Sequence, residues 1–367
     1  MKMYRPTWAE IDLEAIRKNY RSIQKSVSAG VNIMVVVKAN AYGHGSIQVS
    51  RALEKENVSY LGVATLDEAI KLRKAQIKAP ILILGSIFPH EVKPAVKNNI
   101  TLTLCNNELL QALNKNKIRT KVHIKVDTGM GRIGVWHEEA FGFIENVRNC
   151  KHIDIEGIYT HFSIAGRDKF FTQYQINSFE NLLKKLRTHY IDIPLRHAAN
   201  SIATVDWKKS HLNLIRPGLI IYGIYPKKNF ARLLKLKPAF SLKTRIAFLK
   251  DTPPGRSISY GRTYITQVPT KIATLPIGYA DGYGRILSNK AKVLIKGKST
   301  RIVGKVTMDQ SMIDVGHIKD VKVGDEAVLI GKQKSQEIKI EKLARLAGTI
   351  PYEIVTGITA RVPRIYK

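Results

Sequence analysis

The sequence predicts an α/β fold: an N-terminal (β/α)8 TIM barrel over residues 1–230, then a mostly antiparallel C-terminal β domain over 231–367. Three observations predict it. Short continuous apolar runs alternate with amphipathic segments, as strands buried on both faces alternate with helices in a parallel sheet. Roughly eight such strands over about 220 residues suit a closed barrel better than an open sheet. Past residue 226 the texture changes to short alternating runs broken by turn residues, the pattern of antiparallel β structure.

The elements follow in order. An opening strand near 4–12 is open to joining the β domain, and Leu13, Ile16, Tyr20 and Ile23 then recur at helical spacing. VNIMVVV (31–37) is the first barrel strand, followed by YLGVAT (60–65), PILILG (80–85), ITLTLC (100–105), KVHIKVD (121–127) and DIEGIYTHF (154–162). RHAANSIATV (196–205) and LNLIRPGLIIYG (212–223) complete the set. Helical segments separate them, including 137–149 and 170–188. PKKNFARLLKLKPAF, basic and with two prolines, reads as a linker. Beyond it come the β runs, a short helix at IEKLARLAG and a last strand, EIVTGITARVPRIY.

The chain of 367 residues carries a formal net charge of +31. That invites a nucleic-acid reading. The cations, however, are spread along the chain, with no RNP aromatic string, zinc-finger spacing or basic arm, so no specific nucleic-acid partner is expected. Cys105 and Cys150 have no metal or disulfide-framework spacing and suit a reducing cytosol. The start has no apolar secretory segment and no run approaches a membrane span, so a cytoplasmic protein without membrane contact is expected.

A barrel's active site lies at the carboxyl ends of its strands. There stand Lys38, Tyr42, Lys125, Arg132, His161, His197, Asn200, Ser201, Arg216, Gly218, Leu219 and Tyr222. Lys38 ends the apolar run IMVVVK. An apolar wall disfavours its ammonium, and the neutral amine is a nucleophile for carbonyl carbons. Snorkelling at a strand end is the alternative. Ser201 with the Gly218 amide region suits a phosphate or ordinary turn chemistry. His161 alone reads as a core histidine, and Arg216 after an apolar strand needs a partner. Tyr260 and Tyr264 read as strand aromatics.

VVVKANAYGHG (35–45) resembles the pyridoxal-phosphate attachment motif of the alanine racemase family. RPTWAEIDLEAI, DTGMGRIGV, YTHF, RHAANS, IRPGLIIYG, SYGRTY, LPIGYADGY, GKVTMDQSMIDV and ARVPRIY follow that family in order and spacing along nearly the whole chain. The resemblance implies an isomerase that interconverts L-alanine and D-alanine by two-base proton transfer on a pyridoxal 5'-phosphate aldimine. Its D-alanine would feed peptidoglycan and cell-wall biogenesis. The implied assembly is a homodimer with an active site shared between subunits. A racemase of other small amino acids such as serine is the alternative. A barrel decarboxylase is disfavoured, since no three-glycine run is present.

Carried over residue by residue, Lys38 would hold the cofactor and act as one base, with Tyr260 from the partner as the other. Arg216 would face the pyridine nitrogen, supported by His197, and His161 would sit against the ring. Tyr42, Ser201, Gly218 and Leu219 would hold the phosphate, with Asn200 and Tyr222 beside them. Arg132 and the N–H of Met308, also from the partner, would bind the substrate carboxylate, and Tyr279, Arg285 and Asp309 would form the entrance and the shell behind Tyr260. Lys125 is expected to be carbamylated, and no metal is expected. Ala360 is placed where some relatives carry a tyrosine near the phosphate. Lys38, Arg132 and Arg216 thus gain anionic partners, while most of the +31 remains solvated surface.

Overall fold

The structure, a computed structural model, describes residues 4–367. It separates into two compact units. One holds Ile16–Ala41 and Ser46–Lys237; the other holds the described residues up to Ala15, Tyr42–Gly45 and Pro238–Lys367. The first strand, β1 (Thr7–Ile11), belongs to the second unit.

The first unit is the barrel. Its strands are β2 (Asn32–Val36), β3 (Tyr60–Val63), β4 (Ile81–Ile83), β5 (Leu102–Leu104), β6 (Thr120–Asp127), β8 (Ile153–Tyr159), β9 (Leu195–His197) and β10 (Leu214–Ile215). A two-residue strand, β7 (Val135–Trp136), hangs on the end of β6. Parallel pairing runs β2–β3–β4 and β5–β6–β8–β9. Single bridges, Leu82 with Thr101 and Asn200 with Arg216, link the arcs, and β10 pairs β2 to close an eight-stranded ring. The ring matches the expected (β/α)8 architecture. Met34, Tyr60, Leu82 and Leu214, from four neighbouring strands, form one buried cluster against which Leu84 and Leu195 pack.

Two runs expected as strands are shorter and end in helices. After β9, Asn200 caps a helix over Ser201–Asp206 by accepting the N–H groups of Ile202 and Ala203. After β10, Pro217 has no N–H for a ladder, and the chain turns into a 3-10 helix at Leu219–Tyr222.

The second unit is the β domain. Its main sheet runs β15 (Lys298–Arg301), β14 (Lys292–Ile295), β17 (Glu326–Gln333), β11 (Phe240–Arg245), β1 and β19 (Arg364–Tyr366), with β18 (Gln336–Ile338) on β17. Only the β1–β19 pair is parallel in that sheet. A smaller antiparallel sheet joins β12 (Phe248–Thr252), β13 (Thr270–Leu275) and β16 (Ser311–Asp314). The expected last strand is mostly a helix. Pro351 at the first helical position starts a turn over Pro351–Gly357 that lies on the helix Ile340–Ala347, and only 364–366 is strand.

Gly43, beside the strand-end lysine, has φ +79°, and a Cβ there would lie 2.2 Å from the Val355 carbonyl oxygen. Gly43→Ala is expected to cost about 2–3 kcal/mol. A thermal melt unchanged from wild type would refute this.

Candidate active site

Lys38 follows β2 and opens a turn in which Ala39, Asn40, Ala41 and Tyr42 all have φ between +51° and +54°. Left-handed backbone costs roughly 1–2 kcal/mol per non-glycine residue. Side chains hold the turn in place. Glu68 accepts the Ala39 N–H at 2.6 Å, and Asn40 accepts the Ser46 N–H at 3.0 Å. Lys38 is half-buried. Burial lowers its pKa, the nearby Arg132 adds to this and Glu68 opposes it. An amine held here is a better nucleophile than a surface lysine.

Arg216 follows β10 and is 4% exposed. Its Nη2 donates to the Thr160 carbonyl at 2.6 Å and the Ala198 carbonyl at 3.1 Å, and Nη1 donates to His197 Nδ1 at 2.8 Å. That donation fixes the protons beyond it. His197 must carry its hydrogen on Nε2, from which it donates to His123 Nδ1 at 2.8 Å. His123 then carries its own on Nε2, 3.4 Å from Glu156. Glu156 also accepts from Lys121 at 2.6 Å and from the Tyr60 hydroxyl. Burial pushes the Glu156 carboxyl up, but these hydrogen bonds outweigh it and hold it at about 2. Burial lowers the Arg216 pKa to about 10, so it stays charged at neutral pH. The guanidinium has five N–H groups. Nε and one Nη1 hydrogen have no acceptor among the described residues.

His161 lies 3.3 Å from Arg216 Nη2. Burial, then Arg216, Arg132, Lys125 and Lys38, hold its pKa well below the usual value. One imidazole thus feels all four cations of the strand ends and stays neutral. Lys125, on β6, is 1% exposed and donates to the Val126 carbonyl at 2.7 Å. Burial, opposed by Asp127 and aided by Arg216 and Arg132, lowers it to about 8. Asp127 accepts four successive backbone N–H groups, Gly129 through Arg132, at 2.8–3.3 Å. The DTGMGR stretch is therefore a carboxylate-filled nest that sets Arg132, which is exposed, and not a phosphate loop.

Around Ser201, the hydroxyl accepts the Gly218 N–H at 2.9 Å, while the fully buried Leu219 N–H has no acceptor among the described residues. Asn200 spends its side-chain oxygen on the helix cap, and Tyr222 donates to the Val36 carbonyl at 2.9 Å, bracing the strand that carries Lys38. Ala360 is exposed in a turn; the tyrosine that stands by Tyr42 is Tyr352, ring centres 5.7 Å apart.

In the β domain, Tyr260 is 68% exposed on a tight turn where Ser259, Gly261 and Arg262 have positive φ. Ser259 anchors that turn by donating to the Lys305 carbonyl at 2.6 Å. Tyr279, Met308, Asp309 and Arg285 are also exposed, and Asp309 accepts from Arg361 at 2.8 Å. The Met308 N–H has no acceptor among the described residues. Sequence reasoning missed His123, Glu156, Asp127, Glu68 and Tyr352. A polar residue at every second position of an otherwise apolar strand, as in KVHIKVD, is the signal that points inward. No group of three or more His, Cys, Asp or Glu able to hold a metal occurs among the described residues.

A barrel with a strand-end amine of lowered pKa, a charged guanidinium and unused N–H groups is an enzyme scaffold built for a small anionic molecule. The chain belongs to the alanine racemase family. Residues 11–226 match the alanine racemase N-terminal domain and 239–366 the C-terminal domain. The alanine racemase of Halothermothrix orenii is 47% identical, with all of this chain and 98% of that protein covered. Alanine racemase from Clostridium difficile 630 superposes with a TM-score of 0.95 at 40% identity, covering 100% and 97% of the two chains. The Bacillus anthracis alanine racemase solved with bound L-Ala-P gives 0.94 at 39%, covering 100% and 96%.

A Cβ on Gly157 would lie 2.5 Å from His123 Nδ1. Gly157→Ala should therefore break the His123–His197 contact, change both side-chain 15N shifts and lower turnover roughly tenfold. Unchanged shifts in the folded variant would show that the contact survives.

Proposed function

We propose that the chain interconverts L-alanine and D-alanine with pyridoxal 5'-phosphate as cofactor, in the cytosol, supplying D-alanine for peptidoglycan. The observation that carries this is the convergence of Lys38, Arg132, Lys125 and Arg216 on His161, in a chain similar along its length to alanine racemases. The residues fit the cofactor. The buried Leu219 N–H and the two spare Arg216 hydrogens are donors awaiting acceptors, and the surrounding charge is positive. Ser201, Gly218, Leu219 and Tyr42 would hold the phosphate, Arg216 the ring nitrogen, and Lys38 the aldehyde carbon through Nζ.

When bound, the cofactor supplies the electron sink that lets an α-proton leave. Lys38 moves the proton on one face, and the partner subunit's Tyr260 moves it on the other. Burial, aided by Arg132, lowers the pKa of Lys38 toward working pH. Arg216 would donate to the ring nitrogen without giving up its proton, since a guanidinium is not deprotonated at working pH. Arg132 and the partner subunit's Met308 N–H would hold the carboxylate. Tyr279 and Arg285 flank the entrance, with Asp309 behind Tyr260. The dimer follows from Tyr260, which has to reach a second copy's site.

Purified protein supplied with the cofactor should absorb in the visible. Borohydride should abolish that band and label Lys38, and L-alanine should yield D-alanine. Tyr260→Phe should lower turnover about 10²–10⁴-fold. A colourless, inactive protein would overturn the reading, and preferred turnover of serine would replace the substrate.

We also propose that Lys125 carries a carbamate. The neutral amine attacks CO2 and releases one proton, giving an anion able to hold Arg132 by charge-assisted hydrogen bonds. With a pKa of about 8, the neutral amine grows as pH rises through that value. 13C-labelled bicarbonate should give a carbamate signal that strengthens with pH and is absent in Lys125→Ala; an identical signal in both proteins would refute the assignment.

A further inference from the structure

Two loops of the β domain, residues 276–283 and 305–310, carry Tyr279 and Met308. They meet at Gly278, where a Cβ would lie 2.2 Å from the Thr307 carbonyl oxygen and 2.4 Å from that of Met308. The Tyr279 N–H donates to Thr307 and the Ala280 N–H to Met308, both at 3.0 Å. Loops in such contact move together. What fixes the first of them is a carboxylate. Asp281, fully buried, accepts the Gly278 N–H at 2.9 Å. It is gripped by both terminal nitrogens of Arg5, at 2.5 and 2.6 Å, and Arg5 also donates to the Pro276 carbonyl at 2.8 Å.

A second guanidinium stands nearby. Arg361 Nε lies 3.8 Å from Asp281, and its Nη2 donates to Asp309, the neighbour of Met308, at 2.8 Å. Arg5 therefore decides which acid Arg361 serves. With Arg5 in place, Asp281 is satisfied and Arg361 holds Asp309. Without the two-pronged grip, a buried carboxylate loses its main partner and draws on Arg361, at the expense of Asp309. A lysine carries the same charge but cannot bind both carboxylate oxygens in the plane.

We propose that Arg5 is a positioning residue of the active site. Through Asp281 it sets the loop pair that aims the Met308 N–H at the substrate carboxylate in the second copy's site. The inference rests on the racemase reading above. The test compares wild type, Arg5→Lys and Asp281→Asn, each saturated with cofactor. KM and kcat for alanine are measured in both directions, along with inhibition by propionate, which offers a carboxylate but no amine. Arg5→Lys should raise KM and the propionate inhibition constant together by about tenfold, with kcat and the visible band nearly unchanged and the dimer intact by sedimentation. Asp281→Asn keeps the shape and an acceptor for Gly278 but loses the charge, and should show the same paired rise. A lower melting temperature with unchanged KM and inhibition constant, in whichever variant folds, would make the pair merely structural and overturn the proposal. A wild-type protein without a visible band or alanine turnover would overturn the racemase reading and this one with it.

Discussion

A guanidinium that no carboxylate touches governs the barrel site. Arg216 is buried, and its direct partners are two carbonyls and the neutral imidazoles of His197 and His161. The compensating negative charge sits two histidines away on Glu156. Buried ions without a partner are strongly disfavoured, so each link between Arg216 and Glu156 has to be intact and correctly protonated. That requirement explains why His123 and His197 are fully buried, why both are held neutral and why Gly157 leaves room for a ring. It also leaves the front of Arg216 open to a neutral acceptor.

The cations at the strand ends extend the same logic. Burial first, then Arg132 on Lys38 and Arg216 with Arg132 on Lys125, lowers the proton affinity of the two lysines, and His161, facing all four cations, stays neutral. Such a cluster is under electrostatic stress until anions arrive. These few charges are a small part of a net +31, most of which lies elsewhere along the chain.

Much of this was legible in the sequence because burial on both faces leaves a plain mark. IMVVV and the later apolar runs located the barrel strands, and Lys38, at the end of the first, was visible as a polar group against an apolar wall. The proton-fixing chain was not. His123 and Glu156 sit in strands whose neighbours look like any half-exposed β segment, and their pairing depends on β6 lying next to β8. The nest around Asp127 depends on the residues after it folding their N–H groups back onto its carboxylate, which no spacing announces. The run EIVTG has the composition of a strand, yet Pro351 and the helix beside it made it helical. Tyr352 precedes that run, and its approach to Tyr42 depends on the helix that Pro351 starts.

The turn that follows Lys38 has a consequence for how this chain tolerates change. From Ala39 to Tyr42 the backbone occupies a region that a branched side chain can hardly enter. The usual sense of a mild substitution is inverted there. Alanine to valine, ordinarily a modest exchange in a buried segment, becomes a radical one, whereas glycine, ordinarily a disruption, becomes the conservative neighbour.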